Sequence, residues 1–193
     1  MIKIGQYYKP INLCLREYAY SHDYDQGLKL MEHSWVGNVF VGVIMNLLKK
    51  GGRWYKHKII WCGDYAEVNI DVLPDKKKLM AEALDGEVKL YDFVEKNGTL
   101  IKDKQSMDID EQKKAILINH TKKEYVMYSK LNVEPDWAIN PLPLLTAKGN
   151  GSGGGDYRGS NEDEVGSWAG DSLSVEFEEP KGYRETDVGF NED

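Results

Sequence analysis

At 193 residues the chain is long enough to bury a real core, as one domain or as two small ones fused. Its 41% hydrophobic and 30% charged content is that of a globular chain, and its longest apolar run, 39–48, reaches about half of the ~20 residues of a membrane-spanning helix, so no membrane role is expected. The net charge of −7 is concentrated: residues 160–193 hold 11 of the 32 acidic but 2 of the 25 basic residues, and no basic stripe suits direct nucleic-acid binding.

No basic-then-apolar leader opens the sequence. Cys14 and Cys62 stand outside any CxxC or Cys/His cluster, too few for a disulfide framework and wrongly placed for zinc. A reducing, cytoplasmic setting is the expectation.

In chain order, Ile2 and Ile4 alternate as in a strand that Pro10 is expected to stop. Residues 11–20 (INLCLREYAY) then match 118–127 (INHTKKEYVM): Ile11 with Ile118, Asn12 with Asn119, Arg16 with Lys123, Glu17 with Glu124, Tyr18 with Tyr125. Each reads as a hairpin, an apolar arm before Asn and a second arm starting at Glu-Tyr. Residues 27–50 carry apolar side chains near helical spacing, with Gly37 and Gly42 as places for a break. Gly52-Arg53-Trp54 precedes a strand-like stretch at 58–61, as Gly166-Ser167-Trp168 precedes one at 172–177. Two matches in the same order predict a diverged tandem duplication, with halves of a size marginal for folding alone and expected to pack together.

Between the copies, 75–84 reads as a capped helix, 88–96 and 99–103 as strands joined by an Asn97-Gly98 turn, and 108–114 as a polar linker. Pro141 and Pro143 allow only a short helix in the second copy, and the lost length returns as the glycine-rich stretch from Gly149. Residues 181–193 carry no periodicity and are expected to be disordered. The predicted organisation is a first half (1–74), an insertion (75–114), a second half (115–180) and an acidic tail (181–193). The fold class is α+β, with an antiparallel β core of two related halves and one longer helix after the first hairpin.

The motifs NHTKKEYV (119–126), GGGDYRG (153–159) and GSWAGD (166–171), with GLKLME (27–32) and CGDYAE (62–67) in the first copy, resemble an uncharacterised family of small bacterial, archaeal and phage proteins. Its members read along one copy as VNHTKREYV, GLKLWE, GGGGDYxG, GRWAGDRI and VGDYAE. This chain departs from that pattern: Tyr55-Lys56-His57 stands where Ala-Gly-Asp is usual, and the glycine loop exists only in the second copy. The resemblance implies a prokaryotic or phage origin and no activity.

The best ligand candidate is the loop of Gly153, Gly154, Gly155, Asp156, Tyr157, Arg158 and Gly159. Successive backbone N–H groups can cradle an anion, and Arg158 adds a charged fork. No Gly-Lys-Ser/Thr follows, which excludes an NTPase phosphate loop. The bland alternative is a surface loop. Asp64, Asp156 and Asp171 are hard-oxygen candidates for Mg²⁺ or Ca²⁺, or simply turn residues. The four histidines show no metal spacing, and Cys62 after Ile59-Ile60-Trp61 reads as a buried hydrophobe. Tyr7, Tyr8, Tyr20, Tyr24 and Tyr157 lie in polar surroundings that suit protein recognition.

These readings favour a non-catalytic binding protein without a cofactor, phage-encoded, acting in the host cytoplasm by binding and inhibiting a host or host-defence protein. The alternatives are a nucleotide- or anion-binding protein using the glycine loop, and a metal-dependent hydrolase. A homo-oligomer is compatible with any of them.

Overall fold

The computed structural model describes residues 5–74, 88–133 and 137–192. Its strands are β1 (Tyr8–Asn12), β2 (Glu17–Tyr18), β3 (His57–Gly63), β4 (Thr99–Leu100), β5 (Ile116–Asn119), β6 (Glu124–Met127), β7 (Ala147–Lys148), β8 (Ser172–Glu176) and β9 (Arg184–Glu185). The helices are α1 (Val39–Leu48), α2 (Leu90–Asn97), α3 (Ile109–Lys114) and α4 (Pro141–Thr146). The strands form one mixed sheet in the order β4-β2-β1-β3-β8-β5-β6-β9, with β7 beside β3.

That order reads the same outward from its centre. β3 and β8 pair antiparallel there, and the crossing bonds are reciprocal: Lys56 N donates to Leu173 O (2.9 Å) and Gly170 N to Ile59 O (2.7 Å). From each, an antiparallel partner follows (β1 or β5), then its hairpin mate (β2 or β6), then a parallel edge strand (β4 or β9).

Local chemistry repeats as well. The Asn12 side-chain oxygen accepts from the N–H groups of Cys14 and Leu15, and that of Asn119 from Thr121 and Lys122, closing the two hairpin turns. Arg16 and Lys123 both adopt left-handed backbone, φ 55° and 57°. The indole N–H of Trp54 donates to Glu17 (2.6 Å) and that of Trp168 to Glu124 (3.2 Å), and each carboxylate also holds an arginine, Arg53 or Arg184.

One face of the sheet carries the main core. α1 and α4 pack there with Trp54, Trp61 and Trp168, all buried. On the other face, α2 lays Leu90, Phe93 and Val94 over Ile11, Leu13 and Ile60. Under α2 lies Lys9, without exposed surface, its ammonium 2.7 Å from Glu95 and 3.5 Å from the centre of the Tyr91 ring. Burial holds Lys9 below its ordinary pKa against the pull of Glu95.

Several expectations are corrected. Pro10 does not stop a strand but sits inside β1, where its carbonyl accepts from Ala19 N just past the end of β2, and the missing N–H falls where the β1–β2 ladder ends. The long helix of 27–50 is cut to α1, because Gly37 takes φ +94° and the Asn38 side chain caps the new start by accepting from Val41 N. Residues 90–97 form a helix rather than a strand, since Leu90, Phe93 and Val94 fall at i, i+3, i+4, and Gly98 ends it. The linker at 108–114 contains α3, closed by an Asp108/Glu111 capping box. The tail is ordered in part: β9 pairs with β6, and Val188 and Phe190 are buried. The expected helix at 75–84 lies outside the described residues.

Candidate functional site

The glycine loop packs against the start of β1. A Cβ at Gly149 would strike the Tyr8 hydroxyl and Gln6, one at Gly153 would strike Gln6, and one at Gly155 would strike Lys29. Close approach therefore explains Gly149 and Gly153, while Gly155 is also required by its left-handed backbone, φ +87°. Asp156 anchors the loop by accepting from Tyr8 Oη (2.8 Å) and from Gly153 N (2.9 Å). Burial, then that bond to Asp156, pushes the Tyr8 hydroxyl pKa up.

The expected donors of an anion cradle are largely engaged within the chain. Gly153 N is taken by Asp156, Ser152 N by Asn150 Oδ1, Asn150 N by Gln6 Oε1 and Gly159 N by Glu162 Oε1. Arg158 donates to the carbonyls of Gly151 (2.7 Å) and Tyr157 (3.3 Å). Tyr157 is buried, edge-on to Phe190 with ring centres 5.3 Å apart, and its hydroxyl accepts from Asn191 N. The C-terminal segment thus clasps the loop from outside. A cleft of about 400 Å³ remains beneath it, floored by Leu30, Ala147 and Val165.

The three aspartates do not gather. Asp64 accepts from Tyr7 N at the end of β3, Asp156 serves the glycine loop, and Asp171 accepts from the Asn119 side chain (2.7 Å) at the sheet centre. Among the described residues no three His, Cys, Asp or Glu side chains are placed to share a metal. Cys62 is buried on β3, and burial pushes its thiol up to about 12, which leaves no thiolate near neutral pH.

A Ser–His contact that the sequence did not suggest lies on β8. Ser174 Oγ is 2.7 Å from His120 Nε2, His120 Nδ1 is 3.0 Å from Tyr183 Oη, and Glu176 lies 3.1 Å beyond Ser174. The corresponding positions of the first half are Leu13 and Ile60. Ser174 has no exposed surface, so its hydroxyl is sealed from any substrate carbonyl and the array is a polar seam in the sheet.

The recognition tyrosines need correction too. Tyr8, Tyr24 and Tyr157 are buried, and of the five only Tyr7 is exposed. Exposed apolar surface gathers elsewhere. Val133 (71% exposed), Ile109 (45%) and Trp137 (38%) line a groove of about 430 Å³, backed by Val36, Tyr128 and Ala138. Val39, also exposed, lies two residues past Gly37, where a Cβ would strike the Ile109 side chain. α3 supplies Ile109 because its capping box fixes the first turn, and the isolated bridge between Trp35 and Ile139 fixes the chain beside Trp137.

Comparison with known proteins finds no matching family model, no matching curated protein and no matching solved structure. Among the described residues no helix is long and apolar enough to cross a membrane.

Proposed function

We propose that the protein is a non-catalytic binding protein and that another protein docks in the groove of Ile109, Val133 and Trp137. The observation that carries this reading is the convergence of three large exposed apolar side chains on one concave surface. A tryptophan in such a position is the residue type that most often dominates a protein interface, and contiguous exposed apolar surface marks interaction sites. The phage origin that the motif resemblance implies makes a host or host-defence protein the partner to seek, and inhibition is the outcome proposed for that binding.

The test compares capture from prokaryotic lysate by the full chain and by its Val133→Asp and Trp137→Asp variants. One stoichiometric partner, retained by wild type and lost from both variants at unchanged melting temperature, is expected. A partner retained equally by all three removes the groove from the account.

A further inference from the structure

The cleft under the glycine loop carries charges of both signs that do not pair with one another. Lys148 and Arg158 line it together with Asp156, Glu162 and Asp163. Among the described residues no ion pair within 4.0 Å joins either cation to any of the three carboxylates, and the side chains of Lys148 and Asp163 make no hydrogen bond. Elsewhere, partly exposed charges do pair: Lys29 with Glu32, Arg53 with Asp103, Lys130 with Glu185. The cleft is also preformed. Asp156 fixes its inner wall to Tyr8, and Asn191 and Phe190 hold Tyr157 from outside. A wall that is already ordered lowers the entropic cost of binding.

Ligand chemistry follows from this charge layout. A polyphosphate entering the cleft meets three carboxylates, and a polyamine meets two cations; like charges across an interface are costly. A molecule with one charge of each sign answers both the cations and the carboxylates. We infer that the cleft binds a small zwitterion, an α-amino acid or a dipeptide, with its carboxylate toward Lys148 and Arg158 and its ammonium toward Glu162 and Asp163. The apolar floor of Leu30, Ala147 and Val165 then faces the ligand's side chain. This site shares no residue with the apolar groove, so the two readings fail separately.

The experiment is thermal-shift screening, then calorimetric titration, of the full chain with individual proteinogenic amino acids and glycyl dipeptides, with ATP and spermidine as contrasts. At least one zwitterion is expected to raise the melting temperature. Its affinity should fall about tenfold or more both in Arg158→Met and in Asp163→Asn. Asp163 is exposed and makes no hydrogen bond, so Asp163→Asn should melt with wild type, whereas Arg158→Met also gives up the bond to Gly151 O and its affinity is read only at temperatures where the unliganded variant is fully folded. The inference is overturned if no zwitterion binds, if only ATP or only spermidine binds, or if zwitterion affinity depends on one charge sign alone.

Discussion

Acid should strip stability from this protein through one buried histidine. His33 has no exposed surface, and its Nδ1 lies 2.9 Å from Gly27 O while its Nε2 lies 3.0 Å from the indole N–H of Trp61. The neutral ring with its proton on Nδ1 satisfies both contacts, donating to the carbonyl and accepting from the indole. Burial pushes its pKa down from 6.5 to about 4, partly opposed by the hydrogen bond to Gly27. Above pH 6.5 both folded and unfolded chains hold the ring neutral and nothing is lost. As the pH falls below 6.5 the unfolded chain takes the proton first, so stability drops until the folded ring titrates near 4. At about 1.4 kcal/mol per unit, the loss across that window is about 3 kcal/mol. Urea unfolding of wild type and His33→Gln from about pH 7.5 to about pH 4 isolates this effect, because the carboxylates contribute alike to both. At neutral pH the variant should be weaker by about 1–3 kcal/mol, having orphaned a buried partner. The two curves should converge in acid. Curves that fall in parallel would refute the reasoning.

Three further outcomes follow from the repeated halves and the clasped loop. Lys56 adopts φ +60° where the second half has Gly170 at φ +82°, so Lys56→Gly should stabilise by about 1 kcal/mol in denaturant unfolding. Glu124→Ala should cost about 1–3 kcal/mol by stranding the buried Trp168 indole N–H, and Glu124→Gln should recover much of that loss in the same assay. Phe190→Ala should cost about 3 kcal/mol and raise amide exchange across 149–160, because Phe190 covers Tyr157.

Much of the fold was legible because the signals are local. Asn12 and Asn119 close their turns with their own side chains, and Glu17 and Glu124 recur at fixed distances, so both hairpins stand out in the sequence. The edge elements were misread for a physical reason. At 88–96 apolar and polar residues alternate closely enough to mimic a strand, and only the buried trio Leu90, Phe93 and Val94 reveals the helix. In the tail, acidic composition hides two buried anchors, Val188 and Phe190, whose partners lie far away in sequence.

The candidate sites depend still more on distant contacts. Glycines at 149, 153 and 155 suggest an anion cradle until Gln6, Tyr8 and Lys29 arrive from the other end of the chain and fill the space beside them. Trp137 resembles any core tryptophan in sequence. Its exposure is set by where α3 and the Trp35–Ile139 bridge leave it.

Docking through the groove is tested most directly by a photo-crosslinking residue placed singly at Val133, Ile109, Leu15 or Phe177 in the full chain. All four positions are exposed, and only the first two line the groove. Irradiation in a prokaryotic cell producing the protein should give one discrete adduct from Val133 and Ile109 and none from Leu15 and Phe177. Adducts of equal yield at all four positions, or none at the groove, would contradict the proposed docking site.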